Sequence, residues 1–137
     1  MSQKKVPLVT AKPLIAIVED DESLRPALGG LVRSLGYDGA EFDSAEAFLS
    51  SDVRTRANCL VTDFQLPGLS GMDLASKFRG LLPVIIITAR MERSLDALAV
   101  KNDVRCLLHK PFEADELAAC IRRALDSSSG SVQQDNP

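Results

Sequence analysis

Residues 59–68 read CLVTDFQLPG, and this stretch decides the fold. An aliphatic run of strand length, residues 59–62, stops at a single acid, Asp63, and the chain then turns at Pro67 and Gly68. A short apolar run bounded by turn residues is typical of a strand that is covered on both faces. A buried unpaired charge costs free energy, so Asp63 either caps the turn or has a chemical role.

Four other segments share this character, and helical patterns lie between them. Strands are also predicted at residues 14–18, 38–42, 84–88 and 104–108. Apolar residues spaced three or four apart predict helices in the segments Leu24–Leu35, 44–51, 71–80, 92–101 and Leu117–Leu125. Five strands that alternate with five helices predict an α/β fold with a parallel sheet and helices on both faces.

The composition is that of one compact domain. The chain has 137 residues, a hydrophobic content of 45% and a net charge of −3, which suits a single core and lacks the basic footprint of a nucleic-acid binder. No apolar run reaches membrane-spanning length, and the N-terminus has no signal-peptide pattern. We therefore expect a cytoplasmic protein without direct nucleic-acid or membrane contact. Residues 1–12 are expected to be a flexible lead-in, 13–126 the folded domain and 127–137 a flexible tail.

Three cysteines lie in apolar segments that are predicted to form strands or helices: Cys59, Cys106 and Cys120. An odd number of cysteines in such positions predicts reduced core thiols rather than a disulfide framework. A zinc site is not expected, because no two cysteines are close in sequence and the only histidine is His109.

Polar residues follow the predicted strands at the edge where parallel strands end, which is where sites form in such sheets. These residues are Glu19, Asp20 and Asp21 after the first strand, Asp63 after the third, Thr88 at the end of the fourth and Lys110 after the fifth. Ala89 follows Thr88 directly. Taken singly, each acid is explained as a helix cap or turn residue, and the lysine as a solvated charge. Independent capping would not place all of them at one edge.

Clustered carboxylates repel one another unless positive charge lies among them. Lys110 supplies one charge, and a hard divalent cation such as Mg²⁺ would supply more, since it prefers carboxylate and phosphate oxygens. An acid, Mg²⁺, a lysine and a hydroxyl together form a plausible set for phosphoryl transfer, in which a carboxylate attacks phosphorus and the cations neutralise the developing charge.

Four motifs in this order resemble the receiver domain of two-component response regulators, with the FixJ type as the nearest pattern. They are IAIVEDDESLR (15–25), VTDFQLPGLSG (61–71), VIIITAR (84–90) and HKPF (109–112). The resemblance covers residues 13–126. It implies a flavodoxin-like, doubly wound sheet of strand order 2-1-3-4-5.

The resemblance also implies the ligands of a Mg²⁺ ion and the residue that is phosphorylated. Asp63 matches the phosphoacceptor. Asp20, Asp63 and the backbone carbonyl of Gln65 match the direct metal ligands, and Glu19 matches a ligand that acts through water.

The residues that would bind the phosphoryl group follow in the same way. Thr88 matches the switch hydroxyl, and Ala89 and Lys110 match the other phosphoryl-binding positions. Pro111 matches a position that is often a cis-proline. Leu107 stands where the family has a switch aromatic, and leucine has no ring to move into the space that Thr88 would vacate.

The resemblance implies a signalling domain rather than an enzyme: a partner histidine kinase or histidine phosphotransfer protein would phosphorylate Asp63. The initial Met and the length favour a stand-alone receiver that acts on an unknown protein target, and residues 92–125 are a candidate surface for a homodimer. The alternative is the receiver portion of a DNA-binding regulator whose output domain is missing. A Mg²⁺-dependent aspartyl phosphatase is a third reading, but it needs a second acid where Gln65 stands.

Overall fold

The computed structural model describes residues 11–130, with side chains described as far as residue 126. The five strands are β1 Leu14–Val18, β2 Asp38–Phe42, β3 Cys59–Asp63, β4 Val84–Thr88 and β5 Cys106–His109. The helices within residues 11–130 are α1 Leu24–Ser34, α2 Ala45–Leu49, α3 Val53–Arg56, α4 Gly71–Phe78, α5 Arg93–Lys101 and α6 Ala114–Gly130. All strand pairs are parallel, in the order β2-β1-β3-β4-β5. The predicted flavodoxin-like α/β fold is confirmed.

The sheet separates two apolar cores, which explains why its central strands are apolar along most of their length. Every residue of β3 and β4 is buried. On one face the strand side chains pack against α2, α4 and α5, with Phe48, Leu74 and Leu95 among the buried residues. On the other face they pack against α1 and α6. Alternate residues of each central strand therefore point into different cores.

Several element bounds differ from the sequence-based expectation, among them those of β5, predicted at 104–108 and observed at Cys106–His109, and one helix is additional. The segment predicted as one helix, 44–51, ends at Leu49, and the unpredicted single-turn helix α3 follows it. Helix α6 continues to Gly130, past the domain boundary predicted at residue 126. Residues 1–10 and 131–137, which make up most of the predicted lead-in and tail, lie outside the described residues. Within residues 11–130, no helix has the length and apolar character needed to cross a membrane.

The loop that follows β1 is fixed by Asp21, which caps the first helix. Its Oδ1 accepts hydrogen bonds from the backbone N–H groups of Ser23 (2.8 Å) and Leu24 (2.9 Å). These bonds lower the pKa of Asp21. Helix α1 begins at Leu24, so Pro26 lies in the first turn, where its missing N–H costs little. The Asp21 carboxylate is therefore hydrogen-bonded to the backbone at the start of α1.

The prediction of three reduced thiols is wrong for two of the cysteines. Cys106 on β5 and Cys120 on α6 form a disulfide, with their Cα atoms 5.9 Å apart. Cys59 on β3 is a free buried thiol, as predicted. The pairing was not accessible from spacing, because 14 residues separate the two cysteines and only the packing of α6 against the sheet brings them together.

Candidate functional site

Strand register brings the polar residues to one edge of the sheet. Val18 of β1 is paired with Thr62 of β3, so the residue after each, Glu19 and Asp63, lies at the same level. Thr88 at the end of β4 is paired with the last residue of β5, which directly precedes Lys110. The carboxyl ends of β1, β3 and β4 therefore lie close together, and Lys110, which follows β5, lies beside them. Binding sites in open parallel sheets form at this edge.

The Asp63 side chain is almost buried and lies beside one cation. The residue is 9% exposed, and Lys110 Nζ lies 3.6 Å from Asp63 Oδ1. Burial raises the pKa of Asp63, while the ammonium of Lys110 and a hydrogen bond from the backbone of Gln65 lower it, and Asp20 raises it. The environment therefore keeps a carboxylate in a place where its negative charge is poorly compensated, which favours a reactive or cation-binding role over a simple cap.

Glu19 is the most deeply buried acid of the site. It is 1% exposed, and its Oε2 accepts a hydrogen bond from the Asp21 backbone N–H at 3.1 Å. The other oxygen, Oε1, is buried and has no hydrogen-bond partner among the described residues; Lys110 Nζ lies 3.9 Å from it. The pKa of Glu19 is raised to about 7, chiefly by burial; the hydrogen bond from the Asp21 backbone opposes this rise, and the charge of Asp63 contributes to it. A buried carboxylate with an unpaired oxygen is stabilised by an additional positively charged partner.

The acids fit a divalent cation. Glu19, Asp20 and Asp63 each offer a carboxylate oxygen, and these oxygens lie within 4.8 Å of one another. Asp20 is exposed, so a cation bound there would keep contact with water, as Mg²⁺ prefers. Asp21 is not in the group. The unsatisfied Glu19 Oε1 supports the fit, because a cation and its water shell would supply what the protein does not. The metal role of the Gln65 carbonyl stays a prediction.

The proposed switch hydroxyl lies at the same edge. Thr88 is 1% exposed, and its Oγ1 accepts a hydrogen bond from the Arg90 backbone N–H at 2.9 Å. Its carbonyl accepts one from the Lys110 backbone N–H at 2.9 Å, which fixes the lysine next to β4. Ala89 is exposed beside Thr88. The peptide bond between Lys110 and Pro111 is cis, as the family pattern implied.

Leu107, which the resemblance matches to a switch aromatic, lies on β5. It is half-buried on β5 and packs against the core that contains α4 and α5. A residue three positions before this strand has an uncommon backbone conformation. Asp103 has a φ of 60°, and aspartate tolerates this left-handed conformation better than most residues other than glycine.

Two contacts near the site have signals that sequence reasoning did not use. Gly71 begins α4, and a Cβ there would overlap the carbonyl oxygen of Asp63, so this position needs glycine. Ser70 forms a reciprocal capping box with Asp73, which sets the start of α4 behind the Asp63 loop. The S-G-x-D pattern was visible in the sequence.

Arg25 donates to the carbonyl of Glu19 at 2.9 Å, a contact that no local pattern indicates.

Fold and site together define the class of protein. The family model for the response regulator receiver domain matches residues 15–122. The chain belongs to the response regulator receiver family, and so to the proteins of two-component signalling.

Two curated relatives and one solved structure illustrate this membership. The chain is 35% identical to Nodulation protein W of Bradyrhizobium diazoefficiens over 120 residues, which cover 85% of this chain and 53% of that protein. It is 33% identical to Transcriptional regulatory protein FixJ of the same organism over 120 residues, covering 85% and 58%. The crystal structure of FixJ-N superimposes with a TM-score of 0.76 at 30% identity, over 85% of this chain and 96% of that one. The chain thus spans about half the length of the curated relatives it matches.

Proposed function

We propose that the domain is phosphorylated on Asp63 by a partner histidine kinase or histidine phosphotransfer protein, in a reaction that requires Mg²⁺. The observation that carries this proposal is the environment of Asp63: a nearly buried carboxylate with Lys110 3.6 Å away and two further acids within cation-sharing distance. As a receiver it acts as a signalling domain. We propose that it also assists its own phosphorylation and the later removal of the phosphoryl group. We propose a cytoplasmic location.

The chain's own residues divide the chemistry between them. A carboxylate oxygen of Asp63 attacks the phosphorus of a phosphohistidine, the P–N bond breaks, and the imidazole leaves with the electron pair. Lys110 is close enough to neutralise charge on the phosphoryl oxygens. Mg²⁺ held by Asp20, Asp63 and the Gln65 carbonyl, and by Glu19 through water, would supply the remaining positive charge.

Thr88 and Ala89 are proposed to report the phosphoryl group to the rest of the domain. The Thr88 hydroxyl is at present held by the Arg90 backbone N–H. We propose that it turns to the new phosphoryl oxygens, which Ala89 helps to bind, so that phosphorylation shifts the population of two conformations. Because Leu107 has no ring to follow Thr88 inward, the displacement on β5 should be smaller than an aromatic would give.

An apolar groove beside Lys110 is proposed to receive the phosphodonor. It has a volume of about 380 Å³ and is lined by Leu24, Ala27, Leu28, Leu31, Lys110, Pro111 and Phe112. The groove opens next to the lysine that contacts Asp63, so an apolar helix bound in it would bring a phosphohistidine to the acid.

Replacing Ala27 with glutamate should slow phosphotransfer from the kinase by about tenfold or more, because a charge would be buried in an apolar contact. Transfer from acetyl phosphate should be unchanged, since this small donor needs no docking surface. The measurement is the rate of adduct formation with each donor.

The matched control is Ala97→Glu, an exposed alanine on α5 that does not line this groove. It should leave both rates unchanged. Equal rates of kinase transfer to Ala27→Glu and to the wild type would place the docking surface elsewhere.

The phosphorylated state is proposed to be long-lived. Gln65 is exposed two residues after the acceptor, and Arg90 lies over the Phe64 ring at 5.7 Å and pairs with Glu92 at 2.8 Å. Two long polar side chains would thus restrict the approach of the hydrolytic water.

Gln65→Ala should lose its phosphoryl group at least about threefold faster, which corresponds to about 0.7 kcal/mol in activation free energy. The decay of the adduct after removal of the donor measures this directly. A half-life equal to that of the wild type would show that Gln65 does not control water access.

The output is proposed to pass through protein contacts of residues 92–125, through a homodimer or a downstream target. The neighbouring Met91 (74% exposed) and, on α5, Leu98 (40%) and Val100 (81%) are exposed apolar side chains, which are common in interaction surfaces. The relatives supply the second candidate, since one is named a transcriptional regulatory protein and is longer than this chain. The reading frame beyond the codon for Pro137 distinguishes a stand-alone receiver from the receiver portion of such a regulator.

A further inference from the structure

We propose that Cys106 and Cys120 are a reversible dithiol–disulfide site that a small anionic disulfide of the glutathione type oxidises. The two cysteines join the edge strand β5 to α6. Their Cα separation of 5.9 Å is in the range that a disulfide requires, so the bond can form and open with little backbone movement.

A cation lies next to both sulfur atoms. The Arg123 Nη2 is 3.0 Å from Cys106 Sγ and 3.8 Å from Cys120 Sγ. A guanidinium is always charged, and a positive neighbour stabilises the thiolate, which is the form that attacks disulfides. Cys59 provides the contrast: burial raises its pKa to about 12, so it should be inert.

A cleft borders the pair, of which Cys106 is 9% and Cys120 4% exposed. It has a volume of about 370 Å³, and besides the two cysteines it is lined by Arg105, Leu107, Leu108, Glu116, Ala119 and Arg123. The lining contains Arg105, Arg123 and the acid Glu116. Arg105 pairs with Asp103 at 3.7 Å, so the attraction of a ligand that carries carboxylates rests mainly on Arg123, next to the sulfur atoms. Oxidised glutathione has this chemistry and is small.

The reaction balances as two thiol–disulfide exchanges. The Cys106 thiolate attacks one sulfur of the small disulfide and releases one thiolate, which leaves a mixed disulfide on the protein. The Cys120 thiolate then attacks the Cys106 sulfur and releases the second. Two protein thiols are oxidised and one small disulfide is reduced to two thiols, which take up the two protons that the protein thiols lose; excess small thiol reverses the reaction.

The location argues for a reversible bond rather than a permanent one. In reducing compartments, protein disulfides are usually transient, catalytic or redox-sensing. Cys106 directly precedes Leu107 and is four residues from Lys110, so the bond ties the strand that carries both to α6. This inference rests on the proposed cytoplasmic location but not on phosphorylation of Asp63, and its test measures thiols alone.

The experiment counts free thiols after equilibration in glutathione buffers that range from fully reduced to fully oxidised. The acid-quenched, unfolded protein is labelled with a maleimide of high mass. Wild type should change from three labels to one, Cys59→Ala from two to none, and Cys120→Ser should hold one glutathione as a mixed disulfide on Cys106. One label at every glutathione ratio would mean a permanent cross-link, and three at every ratio would mean no bond; either result would overturn the proposal.

The role of the cation is tested by the rate of oxidation. In the Arg123→Gln variant, Cys106 and Cys120 should be oxidised about tenfold more slowly, because without the guanidinium a smaller fraction of their thiols is ionised. Arg122→Gln, an exposed neighbour on the same helix that is not in the cleft lining, should match the wild type. Equal oxidation rates for Arg123→Gln and the wild type would show that Arg123 does not activate the thiols.

Discussion

Replacing Asp63 with asparagine is expected to abolish phosphorylation by acetyl phosphate and by a phosphorylated kinase. The amide has nearly the same shape as the carboxylate, but it is neutral and cannot form an acyl phosphate. Wild type incubated with acetyl phosphate and Mg²⁺ should gain an acid-stable, base-labile adduct that intact-mass measurement detects. The variant should form it at least about 100-fold more slowly, which corresponds to about 2.7 kcal/mol in activation free energy.

The variant should remain folded, so that loss of labelling can be assigned to chemistry. Burial raises the pKa of Asp63, which means that its ionised form destabilises the folded state at pH values above the pKa of the unfolded chain. Asparagine removes this charge beside Asp20. The Tm without Mg²⁺ should therefore be equal to that of the wild type or higher.

The control for this experiment is Asp43→Asn. Asp43 also follows a strand at the carboxyl edge of the sheet, but it is exposed and lies outside the acid group. It should be phosphorylated like the wild type. Equal labelling of Asp63→Asn and wild type would refute the assignment of the phosphoacceptor, and loss of labelling in Asp43→Asn would refute its specificity.

The strands were predictable because burial on both faces leaves a strong signal. The bounds of β1, β2 and β4 agree with the sequence-based prediction at both ends. The single-turn helix α3 was missed, since its four residues, VRTR, are too few and too polar to show a period. Strand ends are set by hydrogen bonding, which apolar patterns reflect only in part.

The residue pattern by itself predicted which strand ends meet, whereas the separate roles predicted for the acids came only from the family resemblance. Neighbouring acids at positions 19–21 look alike in sequence. In the structure, Asp21 turns to the backbone of α1, while Glu19 and Asp20 face Asp63. The disulfide of Cys106 with Cys120 depends on packing between distant elements and leaves no local signal.

Because the acids are proposed to have different roles, replacing one of them should weaken Mg²⁺ binding far more than replacing its neighbour. Asp20→Asn should weaken Mg²⁺ binding at least about tenfold, or about 1.4 kcal/mol, because it removes a proposed direct ligand and one negative charge. Titration calorimetry with MgCl₂ measures the affinity. Labelling of the wild type by acetyl phosphate should also be lost when EDTA removes the metal, because Lys110 alone then offsets the charge on the phosphoryl oxygens.

Asp21→Asn is the matched control, since it changes the adjacent acid in the same way. Asparagine caps helices about as well as aspartate, so α1 should keep its start, and Asp21 is not among the clustered oxygens. Glu19→Gln should fall between the two, because a ligand that acts through water contributes less than a direct one, and the amide still fills the buried space. The expected order of loss in Mg²⁺ affinity is Asp20, then Glu19, then Asp21. An equal loss for Asp20→Asn and Asp21→Asn would mean that only net charge matters, and labelling of the wild type in EDTA at the full rate would show that the acids serve no metal.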